Sequence, residues 1–167
     1  MRTILMSIKA RHNRNIESRL KTSELRLKPP TCALPFKVLT YESGFDGRHK
    51  VVNEWICDNI TEWRICVGIP AHLPKTACVS AEEIREYSGK DCKDISEMRI
   101  TNLKIYDKPK ELSEFNRPCP VANLDCSICA SYGKPYTWDF DEKTGKIFCT
   151  RKVTRPPQSW CYVEELE

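Results

Sequence analysis

Thr22-Ser23-Glu24-Leu25-Arg26-Leu27-Lys28, stopped by Pro29-Pro30, is the stretch on which the reading of this chain turns. Polar and apolar residues alternate through it, the two-residue period of a strand with one face in a core. Leu25 and Leu27 belong on the inner face. Thr22, Glu24, Arg26 and Lys28 share the other, with Lys21 just before them. Arg26 can present a planar, two-pronged donor to a phosphate or a guanine edge, while Lys21 and Lys28 supply point charges. Glu24 among them can accept from a base amino group or act as a general base. The competing reading is a solvated strand whose charges pair with one another.

The surroundings of this strand are basic. Residues 1–30 hold eight Lys/Arg (Arg2, Lys9, Arg11, Arg14, Arg19, Lys21, Arg26, Lys28) against Glu17 and Glu24, so the segment carries +6 and the rest of the chain −2. Charge concentrated in this way is the footprint expected for a polyanion partner. Upstream, Thr3–Ile8 reads as a short buried strand, and residues 10–20, free of Pro and Gly, as a helix apolar along a narrow stripe. Downstream, strands are expected at Phe36–Tyr41 and Val51–Cys57, joined by the turn Ser43-Gly44-Phe45-Asp46-Gly47. Ser80-Ala81-Glu82-Glu83 is a capping box that starts a helix running to about Tyr87 and ending at Gly89. Ile100–Tyr106 and Ser159–Val163 read as further strands. Several strands with about two helices predict a small α+β domain on a curved sheet or open barrel.

These pieces resemble a known family. Ser7-Ile8-Lys9, a helix, and then Lys21-Thr22-x-Glu24-x-Arg26 is similar to the opening of ASCH-domain proteins of the PUA-like superfamily. Val51–Trp55, Leu103–Phe115 and Arg155–Val163 resemble, in the same order, segments of short ASCH proteins of Firmicutes and their phages. The resemblance implies a small twisted barrel with the first helix beside a positively charged cleft, lined by the Lys-x-x-Glu-x-Arg strand and binding RNA or a modified nucleotide. Some members resemble ribonucleases, and one bacterial group in the family hydrolyses acylated cytidine with a Lys, a Thr and a Glu. Lys21 matches that Lys, but Glu24 stands where the Thr is required, so Lys21, Glu24 and Thr22 are catalytic candidates only if the chain is an enzyme. The family's Pro-Glu after the first Lys, here Lys9, is Ala10-Arg11. Arg19 replaces a Gly, which removes a left-handed cap residue and adds bulk and charge beside the cleft.

Other positions complete the expected cleft. Lys9 lies just past the first strand, and Gln158 and Ser159 follow the rigid Pro156-Pro157, which suits ligand contacts. Trp55, Trp63 and Trp160 are the residue type more often found in cores, and Tyr41 is the aromatic assigned to base stacking. His12, His49 and His72 sit near no recognisable Cys–His pattern. No phosphate-binding Gly-rich loop and no HExxH is present.

Nine of the ten cysteines fall into two classes, with Cys161 apart from both. Cys32, Cys57, Cys66, Cys78 and Cys92 are scattered and read as small buried hydrophobes. Cys119-x6-Cys126-x2-Cys129-x19-Cys149 is clustered, with Tyr136–Phe140 and Lys146–Cys149 flanking a turn as a hairpin. A C-x2-C knuckle plus two flanking thiolates gives a closed tetrahedral Zn2+ site of structural type. A disulfide pair, an iron–sulfur cluster, or Cys92 or Cys161 as one of the four are the alternatives. The domain plan is therefore an ASCH/PUA-like body over 1–116 and 154–167, with a zinc-ribbon-like insert over 117–153. An interaction protein working through that insert, as in a phage effector, is a further reading. The longest apolar runs, such as Ile4-Leu5-Met6, are far too short to cross a bilayer, and Lys9, Arg11 and Arg14 come too early for a signal peptide. A cytoplasmic location without a membrane partner is expected.

Overall fold

The computed structural model describes residues 1–117, 138–141, 146–149 and 151–165. Strand β1 (Thr3–Lys9) leads directly into helix α1 (Ala10–Glu17), followed by β2 (Ser23–Arg26), β3 (Phe36–Ser43) and β4 (Val51–Trp63). Two short helices, α2 (Leu73–Ala77) and α3 (Ala81–Ser88), precede the long β5 (Ile95–Lys110). A 3-10 turn (Leu112–Glu114), β6 (Phe115–Arg117), β7 (Trp138–Asp141), β8 (Lys146–Cys149), β9 (Arg151–Lys152) and β10 (Trp160–Glu165) complete the order. Eight of the described strands form one mixed sheet in the order β2-β5-β4-β3-β1-β10-β6-β9. Only β1 and β3 run parallel. The order has two ends, so the sheet is open, in keeping with the α+β expectation.

The strands are longer than the sequence reading makes them. β4 extends to Trp63, and β5 starts at Ile95 and runs sixteen residues. Neither could stay flat at that length, and the β4–β5 register slips at three places. One slip lies opposite Asn102, whose φ of 50° is a left-handed conformation that Asn tolerates well. These slips bend the ladder. β7 and β8 pair separately, Trp138 opposite Cys149, at the predicted hairpin. β6 pairs with β9, Arg117 opposite Arg151, which sets the two ends of the intervening segment side by side on the sheet edge.

Apolar packing closes around the sheet in three clusters. Ile4, Met6, Ile8, Ile16, Phe36 and Trp55 form the first, burying the stripe of α1. Tyr41 belongs to the second, with Leu5, Leu39, Val51, Phe115 and Val163. Leu25 packs in the third with Leu73, Ile84 and Ile95, fixing α2 and α3 over β2. Trp55 is wholly buried and donates from Nε1 to Thr40 Oγ1 at 3.1 Å, and Trp160 donates to Lys28 O at 2.9 Å, so both serve the core.

A buried polar network holds α1 from behind. Asn13 Nδ2 donates to Glu42 Oε2 at 2.6 Å, and Asn53 Nδ2 donates to Asn13 Oδ1 at 2.7 Å. Glu42 also receives Arg48 N at 2.9 Å, Arg48 Nε at 3.1 Å and Arg48 Nη2 at 2.7 Å. The helix ends at Ser18, and Arg19 takes φ 62°, donating its N–H to Ile16 O at 2.9 Å. The left-handed cap thus survives without its glycine, and an arginine bears the strain. Among the described residues, no helix is long and apolar enough to cross a membrane.

Candidate functional site

β1, α1, β2, α3 and the segment before β10 enclose a cleft of about 450 Å³, within the roughly 300–1,000 Å³ usual for small-ligand sites. Ser7, Lys9, Arg11, His12, Lys21, Glu24, Arg26, Glu83, Tyr87 and Gln158 are among its lining residues. Three motif pieces far apart in sequence meet here. Ser7 Oγ donates to Pro157 O at 2.6 Å and Ser7 N to Ser159 O at 2.9 Å. Arg26 Nη2 donates to Ser7 O at 2.9 Å, and Nη1 reaches Ser159 Oγ at 3.4 Å.

An ion triad forms the floor. Glu24 Oε2 lies 3.2 Å from Lys21 Nζ, and Glu24 Oε1 lies 2.9 Å from Arg26 Nη2. All three side chains are nearly excluded from solvent, with exposures of 3%, 8% and 11% for Lys21, Glu24 and Arg26. Burial alone would push the Glu24 carboxyl up, but the Lys21 ammonium and the Arg26 guanidinium outweigh it and hold the group below its ordinary range. Lys21 Nζ also donates to Ala77 O at 2.8 Å, satisfying a carbonyl at the C-terminal end of α2.

The alternation argument holds only within the strand. Glu24 and Arg26 line the cleft and Leu25 packs in the third core cluster, as expected, although Leu25 also borders the cleft. β2 begins at Ser23, however, so Thr22 escapes the alternation. It is exposed and lines a separate hollow of about 300 Å³ with Ser23, Thr76, Glu97 and Arg99. Lys28, two residues past the strand, is exposed and absent from the cleft lining. Lys21 precedes the strand and turns inward to Glu24. Tyr41, at 6% exposure in the second core cluster, also stands away from the cleft, because its side of β3 faces Phe115 and Val163. Arg19, expected beside the cleft, is not among its lining residues either.

Two cleft residues lack a signal in the sequence pattern. His12 lines the cleft one turn into α1, and burial together with the Lys21 ammonium lowers its pKa, opposed by Glu24. Glu83 does two jobs. Its N–H bonds Ser80 Oγ at 3.1 Å and its Oε2 accepts from Ser80 N at 2.8 Å, the predicted capping box. Its Oε1 accepts from Arg11 Nη2 at 2.7 Å, tying α3 to α1. The capping box was legible; the second partner was not.

Cys119, Cys126 and Cys129 lie outside the described residues, and only the backbone of Cys149 is described, in β8. Among the described residues, no group of three or more His, Cys, Asp or Glu is placed to hold a metal ion. The scattered cysteines do not share one environment. Cys57 is buried, its thiol pushed up to about 12 chiefly by that burial, whereas Cys66 and Cys92 are exposed, contrary to their reading as core hydrophobes. They stand on loops, where sequence alone gives no burial.

No family model matches the sequence, and no curated protein matches it. Solved structures do. The ASCH protein of Zymomonas mobilis aligns over 98% of this chain and 88% of its own, with a TM-score of 0.59 and 16% identity. A mutant form of the same protein gives 0.62 at 14% identity, over 98% and 89%. At such low identity the likeness speaks for architecture alone: this chain has the fold of the ASCH structures.

Proposed function

We propose that the cleft binds RNA or a nucleotide, as an ASCH-type module. The observation that carries this reading is the Lys21–Glu24–Arg26 triad, three charges withdrawn from water at the floor of a concavity. Burying charge is costly, and a buried ion pair is weak evidence for stability, so its position at a pocket favours a binding role. Two cations against one anion leave the floor positive. Lys9 and Arg11, the latter shared with Glu83, line the same cleft and suit the phosphates of a strand passing across it.

A hydrolase using Lys21 and Glu24 is less well supported. Glu24 would have to exchange a proton near neutral pH, and its two cationic partners favour the ionised form. Thr22 is turned to the other hollow.

Electrophoretic mobility shift with short single-stranded RNA across a salt series tests the binding reading. Affinity should fall steeply with salt, by a logarithmic slope of roughly 0.7 per phosphate contacted. Arg11→Ala should reduce that slope by about one contact's worth. Binding indifferent to both salt and Lys21→Ala would overturn it. A structural Zn2+ on Cys119, Cys126, Cys129 and Cys149 belongs to the same proposal and rests on the spacing of those cysteines. Metal analysis should find one zinc per chain, lost in Cys126→Ser. The segment over 117–153 is then an insert, pinned where β6 meets β9.

A further inference from the structure

His12 and Arg26 each bring a buried nitrogen to the cleft that has no hydrogen-bond partner among the described residues: Nδ1 of His12 and Nε of Arg26. The identity of the His12 atom follows from its neighbours. Nε2 of His12 lies 3.3 Å from Nη2 of Arg11. A guanidinium has only donors, so Nε2 must accept, and the ring proton of a neutral imidazole then sits on Nδ1. Arg11 is held in place from α3 by Glu83 Oε1 at 2.7 Å. Glu83 is fixed in turn by its capping of that helix. A chain of contacts from α3 through Arg11 thus sets the tautomer of His12.

The consequence is two buried N–H donors, on residues that line one cleft, without acceptors among the described residues. A buried donor left unmade costs about 1–3 kcal/mol, and a ligand that offers acceptors removes that penalty. We propose that His12 is a specificity-determining contact of the cleft, donating from Nδ1–H to an uncharged acceptor, a carbonyl oxygen or ring nitrogen, of a bound nucleobase. This rests on the nucleotide reading above. A base acceptor fits better than a phosphate oxygen. His12 donates as a neutral group, because burial and the Lys21 ammonium, only partly offset by Glu24, disfavour its charged form. The phosphate falls to the cations Lys9 and Arg11.

The test is imidazole 15N NMR on the full-length protein at pH 7.5, with His12 assigned by its loss in His12→Gln. The expected result is the Nδ1–H tautomer, with a shift of that nitrogen on adding an eight-residue single-stranded RNA of mixed sequence and none with inorganic phosphate. His12→Phe should weaken RNA binding about tenfold, as expected for one lost hydrogen bond, without changing the salt slope. His12→Gln, which restores an N–H donor, should recover most of the affinity. An Nε2–H tautomer, an equal response to inorganic phosphate, or full RNA affinity in His12→Phe would each overturn the proposal. If the wild type binds no RNA while the Nδ1–H tautomer is present, the nucleotide reading itself has failed and this contact falls with it.

Discussion

Two buried ionic clusters grip opposite sides of α1, and they are built differently. Behind the helix, Glu42 receives four hydrogen bonds from Arg48 and Asn13, and Asn53 completes the network. In front of it, Glu24 has two ion-pair partners, and three atoms of the cleft (His12 Nδ1, Arg26 Nε and Glu24 Oε2) lack a hydrogen bond among the described residues. The rear cluster is nearly saturated, with only Asn53 Oδ1 unmatched. Saturated polar networks fix geometry, whereas unsatisfied ones keep interaction capacity in reserve for a ligand. The rear cluster therefore reads as the mount and the front one as the site.

The comparison breaks most directly at Glu24. Glu24→Ala leaves Lys21 and Arg26 buried with their countercharge removed, and should cost about 3–5 kcal/mol by urea denaturation, with RNA binding lost. Glu42→Ala should cost about 2–3 kcal/mol, since Arg48 can turn to solvent while Asn13 stays buried without its acceptor. Its RNA affinity, measured where the protein remains folded, should change less than twofold. Equal losses of binding in the two variants would erase the distinction between mount and site.

Acid should weaken both clusters together, by less than either substitution. Burial raises the Glu42 carboxyl, but hydrogen bonds from Arg48 and Asn13 more than reverse it, so Glu42, like Glu24, has a folded pKa below its ordinary value. Such groups give stability that is fully present above the unfolded value near 4.5 and is lost as pH falls through the lower, folded value. Thermal melts should thus decline slightly below about 6.5, where the unfolded chain takes up a proton that folded His12 resists, and more steeply below 4.5. A melting temperature that rises on acidification would contradict the ionised assignment.

The smallest expected effect belongs to Arg19. Its φ of 62° favours glycine, so Arg19→Gly should raise stability by about 0.5 kcal/mol, the strain relieved less the added freedom of the unfolded chain. RNA affinity should hold within twofold, because Arg19 does not line the cleft. A large gain in affinity would show that this side chain crowds the ligand after all.

Much of the architecture was readable locally. The capping box at Ser80, the alternation of Glu24, Leu25 and Arg26, and the short helix after Lys9 all follow from contacts within a few residues. The charge count was readable, but the pairing of those charges was not. Arg11, Arg14, Lys21 and Arg26 each have an acidic partner, so the excess of cations near the N-terminus is not a bare positive surface. Tyr41 was misplaced for a related reason: alternation says that a side chain changes face, and not what lies on that face.

By itself the sequence determined most of the strands and the two longer helices, the polar face of β2 and the resemblance that joined its scattered motifs, because periodicity and caps are short-range physics. Only the tertiary structure decided what those faces meet. It put Ser7 against Pro157, 150 residues away, and Arg11 against Glu83, 72 residues away. It also left His12, a residue lining the cleft, with a buried ring nitrogen that has no hydrogen-bond partner among the described residues. Such pairings depend on how the sheet curves and on which loops close over it, and neither is written in any local run of residues.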